Sequence, residues 1–478
     1  MKAYFIGIDI GTQGSRVSLI DQNGNLISHK ETVFELNDNS REEQSPQEWW
    51  NSCLRSLQAM IFEVKRTINL EEIIGISVTS TSGTVIPLDK NWTPLHNALM
   101  YSDQRSSDVA KLCQNAAKSY INANYTGFNS SSGLSKIVWF IQNYPEKTEK
   151  IHKWIHAADF ITGKLSGIWG ITDYTNAFKS GYDVANYLWP DYLTEKLGIS
   201  KSWLPDVVYS GKIIGSLDQA LAKQLGLPNS IKITAGITDG CASQIASGAI
   251  KPGDWNTTIG TTMVIKGVCK NPIDDPAGVL YSHRHPGGYW MPGGASNTGA
   301  DWVTKDFSND LKQLSKEANL LYPTKLLSYP LRQTGERFPF EAPQARGFEP
   351  INMSKAIKFT ANMEGVAYIE RLAYEIIEGL SKEDVNVIYT AGGGSNSEAW
   401  LNIRSNVLNK HIYKMKHVTG SVGAAILAAS TTYFVSLIDA AENLTQIELE
   451  IKPTDSLVNI YDKEYKRFVD LLKTKGYI

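Results

Sequence analysis

Residues 4–21 read YFIGIDIGTQGSRVSLID. An apolar run carrying one carboxylate, Asp9, breaks at Gly11-Thr12-Gln13-Gly14, resumes over 16–20, and meets the turn Asp21-Gln22-Asn23-Gly24. Two segments rich in β-branched residues on either side of a glycine-bearing loop predict a β-hairpin. A buried strand has little reason to hold an acid beside such a loop unless something there needs charge. Glycines let backbone N–H groups approach a phosphate, hydroxyls add donors, and a carboxylate can hold Mg²⁺ directly or through water. The plainer alternative is an N-terminal hairpin whose strand-end Asp caps a turn.

Similar pieces recur in the second half. Residues 231–250, IKITAGITDGCASQIASGAI, predict a strand running into Gly236-Ile-Thr-Asp239-Gly240 and then a small-residue helix. Asp239 therefore falls at a strand-to-helix junction, where it could also serve as a helix cap. Residues 256–266 repeat the opening pattern: apolar strand, Gly260-Thr261-Thr262 turn, apolar strand. A strand over 385–389 ends in TAGGGSNSEAW and leads into a helix. Strand, triple glycine, helix is a geometry for approaching a phosphate or nucleoside, or else a tight turn with a helix cap. Residues 420–429, GSVGAAILAA, form the last clear element, a helix with a small-residue face for close packing.

Between these pieces the first half supplies polar strand ends. Ser45-Pro46 starts an amphipathic helix to about 64. Residues 73–87 read as two strands flanking a Ser/Thr/Gly loop, and 98–105 end a strand on polar residues. Ser82 and Asp103 thus sit at strand ends, where open α/β sheets bind ligands. Helices are expected over 109–120, 132–143 and 151–163, the last enclosing Asp159. Residues 173–183 form a polar, aromatic loop suited to a small polar ligand or to an ordinary surface. A further helix spans 359–379. His283 and His285 have no third ligand at metal-binding spacing and read as surface histidines.

The chain has 478 residues, which predicts two domains. Hydrophobic content of 42%, charged content of 20% and a formal net charge of -2 describe a soluble globular protein without electrostatic reason to bind nucleic acid or an anionic membrane. Four distant cysteines (Cys53, Cys113, Cys241, Cys269) predict reduced thiols. No apolar run approaches a membrane span and no signal-peptide pattern opens the chain, so a cytoplasmic enzyme is expected. No low-complexity linker divides it.

Taken together, GIDIGTQGSR, NTTIGTT, TAGGGSNSEAW, GSVGAAILAA, GITDG, SPQEWW and the Lys136-x-x-Trp139 helix resemble the FGGY carbohydrate kinases, of the hexokinase–actin–chaperone superfamily. Ser135 departs from the family's proline at the start of that helix. The resemblance implies an α/β fold with a duplicated ribonuclease-H-like core and a cleft between two domains: 1–230, sugar-binding, and 231–478, ATP-binding with the catalytic aspartate. It implies ATP and Mg²⁺ as cofactors. Asp239 would be the general base, and Asp9 would hold the metal. Gly11, Thr12, Gln13, Gly260, Thr261 and Thr262 would cradle phosphates, and Gly393, Gly394 and Asn396 would meet the adenosine. Asp9, Ser15, Ser82, Asp103 and Asp239, with Tyr174 or Asn176, would contact the sugar. The Ser/Thr-Gly loop over 79–84, TDYTNAFKSGYD and GGYWMPGGASNTG are similar to the D-ribulokinase branch, which puts D-ribulose first and D-xylulose or another pentulose or polyol second. Two other classes stay open: a superfamily ATPase without a small acceptor, and a sugar-sensing member that does not phosphorylate. A homodimer also stays open.

Overall fold

The computed structural model describes residues 2–120 and 125–478. The chain packs into two compact units. The first comprises Met1–Ala246, His283–Gly288 and His417–Thr445; the second comprises Ser247–Ser282, Tyr289–Lys416 and Gln446–Ile478.

In the first unit the opening stretch is the predicted hairpin, Tyr4–Ile10 against Gly14–Asp21, with Leu26–Val33 added antiparallel to it. On the other side of Tyr4–Ile10, Ile73–Ser80 pairs in parallel, followed by Lys232–Thr234 in parallel and Ile213–Ser216 antiparallel at the edge. The second unit repeats this order. Asp254–Ile259 and Met263–Gly267 form the hairpin, and Trp290–Ser296 adds antiparallel. Val387–Ala391 and Ile412–Met415 follow in parallel, and Ile447–Ile451 closes the edge antiparallel. A hairpin extended on one side by an antiparallel strand and on the other by parallel ones is the same topology built twice. The duplicated α/β core expected from the two Gly-Thr hairpins is therefore present.

The central strand of the first sheet is apolar except at Asp9, and Tyr4, Phe5, Ile6, Ile8 and Ile10 are all buried. Gly7 interrupts the side chains because a Cβ there would lie 1.7 Å from the Ser421 carbonyl oxygen. Strand and helix Gly420–Thr432 meet backbone to backbone at that point. Gly423 does the same on another side of the helix, where a Cβ would come within 1.9 Å of the Ala242 carbonyl oxygen. The small-residue stretch 420–429 is thus the means by which a late helix packs on the earliest strand.

This packing moves the boundary read from the sequence. Lys232–Thr234 and Ile237–Thr238 pair with Ile73–Ser80, so residues 231–246, Asp239 among them, belong to the first unit rather than to a domain starting at 231. Residues 151–163 are also more than one helix. Lys153–His156 is a strand paired with Val85–Leu88, and the helix, Ala157–Ser166, begins after it. The polar stretch 173–183 holds a short helix, Tyr174–Phe178. The chain does not end its regular structure at 429, since helix Asp455–Thr474 packs into the core of the second unit through Tyr461, Tyr465 and Phe468.

In the second unit, helix Lys355–Ser381 lies under the sheet, and Glu370 on it receives Arg404 through a two-pronged ion pair, Nε–Oε2 and Nη2–Oε1 both 2.7 Å. Both side chains are fully buried. Arg404 Nη1 also donates to Thr390 Oγ1 at 2.7 Å, tying helix Glu398–Leu408 to the strand that carries the triple glycine. A buried pair with good geometry is costly to break, about 3–5 kcal/mol when one partner is removed.

Candidate active site

Asp9 lies one residue before the end of its strand, 8% exposed, with Oδ1 buried and without a hydrogen-bond partner. Arg16, its cross-strand neighbour, holds Nη1 3.6 Å from Oδ2 and is itself tied to Glu31 at 2.7 Å. Gly420 lies against the carboxyl group, where a Cβ would stand 3.1 Å from its Cγ, so Asp9 faces the N-terminal end of a buried helix. Burial pushes the Asp9 carboxyl up to about 7; the charge of Asp239 adds to this and Arg16 opposes it. An acid with an unpartnered oxygen and a second acid acting on it is suited to a cation.

Asp239 opens helix Asp239–Ala246 directly after the strand Ile237–Thr238, as the strand-to-helix reading expected. Its Oδ1 accepts the Gly240 N–H at 2.6 Å, and the side chain is part-exposed. Among the described residues no cluster of three His, Cys, Asp or Glu side chains could hold a metal. Mg²⁺ commonly takes one or two carboxylates and completes its shell with water and substrate phosphates. Asp9 and Asp239 fit that pattern.

The loop after Asp9 turns tightly, with Gly11 N–H donating to the Gly14 carbonyl at 3.0 Å, and leaves Thr12 half-buried and Gln13 exposed. Gln44 holds it from behind. Its Nε2 donates to the Thr12 carbonyl at 2.9 Å while its Oε1 accepts the Trp49 indole N–H at 2.8 Å. A cavity of about 610 Å³ opens beside the loop, lined by Thr12, Gln13, Arg16, Arg41, Gln44 and Tyr101 among others. Sequence reasoning passed over Gln44, although it stood just before the SPQEWW stretch.

The remaining first-unit candidates divide. Ser82 has a buried hydroxyl without a partner, as do Thr79 and Thr238 on the strands around it. Asn176 is fully buried with its Oδ1 unpartnered. Asp103 is fully buried and taken up by Arg105, which donates from Nε to Oδ1 at 3.0 Å and from Nη2 to Oδ2 at 2.9 Å. Lys136, also fully buried, donates to the Ser130 carbonyl. Burial pushes its ammonium down to about 7, against the pull of Asp103. Ser15 does not join the others. The strand pleat turns it to the face opposite that of Arg16, with its Oγ 3.5 Å from Ser56 Oγ on helix Pro46–Val64.

His283 and His285 are buried rather than on the surface. Residues 283–288 pack on the 174–187 region within the first unit: His283 lies against the Phe178 ring, and the His285 carbonyl accepts the Tyr174 hydroxyl at 3.1 Å. The aromatic character of 173–183 was visible in the sequence, but its partner lay a hundred residues away.

In the second unit the Gly260–Thr262 turn leaves Thr261 exposed, and Gly260 N–H donates to the Thr262 carbonyl at 3.0 Å. Gly299 backs it closely, since a Cβ there would be 2.6 Å from the Thr261 carbonyl oxygen. The triple glycine is a division of labour. Gly392, at φ +83°, and Gly394 pack against Ile259, while a Cβ on Gly393 would meet nothing within 4 Å. Gly393 and Asn396 are exposed and Gly394 is buried. The backbone is thus open to a ligand at Gly393 and structural on both sides of it.

Residues 4–246 match the N-terminal domain, and residues 255–432 the C-terminal domain, of the FGGY family of carbohydrate kinases. The chain is 26% identical over 491 residues to a xylulose kinase of Staphylococcus epidermidis, covering 99% of this chain and 97% of that protein. It is 25% identical over 497 residues to a gluconokinase of Bacillus subtilis, covering 98% and 96%. A structure described as a xyloylose kinase from Brucella ovis superposes with a TM-score of 0.87 at 23% identity, covering 99% of each chain. A glycerol kinase from Plasmodium falciparum with ADP gives 0.83 at 19%, covering 98% of each. The chain belongs to the FGGY family of carbohydrate kinases, and it is a sugar kinase.

Proposed function

We propose that this kinase transfers the γ-phosphoryl group of ATP to the C5 hydroxyl of a ketopentose, D-xylulose first and D-ribulose second. The observation that carries the reading is the pair Asp9 and Asp239 beside the Gly11–Gly14 loop, with unpartnered buried hydroxyls on the neighbouring strands. The loops over 79–84 and 173–183 favoured D-ribulose. Named relatives covering nearly the whole chain are xylulose kinases and gluconokinases, and the xylulose kinases among them support placing D-xylulose first.

In phosphoryl transfer the protein supplies position and charge neutralisation. Asp239 accepts the proton of the sugar hydroxyl as its oxygen bonds to the γ-phosphorus. The bond from that phosphorus to the β,γ-bridging oxygen breaks, and ADP leaves. A positioned base contributes roughly 10²–10⁴-fold. Asp9, with Asp239 beside it, would hold Mg²⁺, which would supply charge neutralisation for the transferring group. Asp9 keeps an oxygen free for that cation, and Arg16 orients the carboxylate. Thr12 and Gln13 meet the γ-phosphate, and Gly260, Thr261 and Thr262 the β- and γ-phosphates. The open backbone at Gly393 and the amide of Asn396 receive the adenosine. Ser82 and Asn176 offer a donor–acceptor and an acceptor to sugar hydroxyls. Asp103, saturated by Arg105, orders the strand end behind them.

The test is a coupled ADP-release assay over D-xylulose, D-ribulose, L-xylulose, L-ribulose, ribitol, glycerol and gluconate. Turnover on a pentulose well above the other acceptors is expected. Strong turnover on gluconate or glycerol with none on any pentulose would remove the ketopentose reading. ADP release that ignores every acceptor would favour an ATPase.

A further inference from the structure

Asp173 ends the strand Ile171–Asp173, is fully buried, and touches no exposed surface. Its carboxylate is a junction. Oδ1 accepts the Thr175 N–H at 2.8 Å, the Thr175 hydroxyl at 2.6 Å and the Ser210 hydroxyl at 2.8 Å. Oδ2 accepts the Asn176 amide Nδ2 at 2.5 Å. Two consequences follow from donor and acceptor rules. Because the Asn176 NH₂ is committed to Asp173, the amide cannot flip without losing that bond. The atom left unpartnered is therefore the acceptor Oδ1. Because the Thr175 hydroxyl hydrogen is committed to Asp173, its oxygen lone pair is turned outward, and there it accepts the Thr238 N–H at 3.0 Å.

Thr238 is the residue before Asp239. Its strand is two residues long, pairing as Ile237↔Thr79 and Thr238↔Ser80, and the helix begins at once. A strand so short is weakly held by its own ladder. The Thr175 hydroxyl supplies a fixed acceptor at the last amide before Asp239. Asp173 thus governs two things from one buried position: the backbone that delivers Asp239, and the polarity that Asn176 presents.

We propose that Asp173 and Thr175 are positioning residues for phosphoryl transfer, holding Asp239 in place through the Thr238 amide. The proposal rests on Asp239 being the general base. A small misplacement of a reacting group costs on the order of 10²-fold in rate, whereas a merely structural hydroxyl would change stability alone. Thr175→Val keeps the side-chain shape and removes both hydrogen bonds.

The experiment measures kcat, KM for ATP and Tm for Thr175→Val, Thr175→Ser, Thr360→Val and Asp239→Asn in the full chain. Thr360 is a buried threonine of the second unit whose hydroxyl donates only to its own helix, at the Ala356 carbonyl, and it controls for the chemistry of the substitution. The expected result is a fall of roughly 10- to 100-fold in kcat for Thr175→Val, with KM for ATP held. Thr175→Ser should restore kcat, and Thr360→Val should lower Tm without lowering kcat. If the valine variant does not fold, Thr175→Ala is read by the same criteria. Wild-type kcat in Thr175→Val beside an inactive Asp239→Asn overturns the positioning role alone. Wild-type kcat in Asp239→Asn overturns the general-base reading and the positioning role with it.

Discussion

The two glycine hairpins share one topology and differ in charge at the position two before the glycine. In the first, the residue two before the glycine is Asp9, buried, with an unpartnered oxygen. In the second, the residue two before Gly260 is Thr258, whose hydroxyl accepts the Asn256 amide at 2.9 Å. Both turns open backbone and hydroxyl donors, and both are held from behind, by Gln44 in one unit and by Gly299 and Ala300 in the other. The duplicated core thus supplies the same turn twice, and the first copy carries a buried carboxylate, Asp9, where the second carries a neutral threonine. In the proposed reading Asp9 serves the cation and the second turn serves the phosphates.

Substitutions at these positions separate the two roles. Removing the acid from the first hairpin has the largest expected effect: Asp9→Asn should lower kcat by about 10²-fold or more, with KM for ATP changed little. The same variant should alter the pH profile. Because the Asp9 carboxyl is raised to about 7, kcat/KM of the wild type should fall as pH drops through that value, where the carboxylate takes up a proton. Asp9→Asn should lack this acidic limb. Adding an acid to the second hairpin is the converse. Thr258→Asp places a charge where phosphates approach and should raise KM for ATP roughly tenfold or more, with a smaller effect on the KM of the sugar.

A further contrast concerns stability rather than rate. Burial raises Glu364 in the second unit to about 7 from 4.5, although Thr324 and Tyr461 donate to it. The folded carboxyl keeps its proton longer than the unfolded one, so this contribution is full below about pH 4.5 and is lost as pH rises through about 7. Thermal melts of Glu364→Gln should show a flatter stability profile across that window than the wild type, and an unchanged slope would count against it.

The hairpins, the triple-glycine turn and the helix start at Ser45-Pro46 were legible because local rules decide them: glycine turns, strand alternation and caps. Asp239 was legible because a strand-to-helix junction is a short-range pattern. What escaped was non-local. Nothing near residue 231 says that its strands join Ile73–Ser80, and it takes the contacts of Gly7 with Ser421 and of Gly423 with Ala242 to explain why helix Gly420–Thr432 belongs to the first unit. The placement of Ser15 was not legible either: it lies beside Ser56, while its neighbour Arg16, on the opposite face, is the one that meets Asp9. His283 and His285 looked like surface residues because the aromatic partners that cover them lie far away in sequence. The order of sugar substrates was not legible, since it depends on how hydroxyl partners are placed.

The most direct measurement is single-turnover formation of sugar phosphate by the wild type and by Asp239→Asn, with ATP binding measured in parallel. Asparagine can still accept the Gly240 N–H that Asp239 accepts at 2.6 Å, so the helix start is preserved. Transfer reduced by roughly 10²–10⁴-fold, with ATP affinity intact, is the predicted result. Transfer at the wild-type rate in the variant would contradict the assignment of Asp239 as the base.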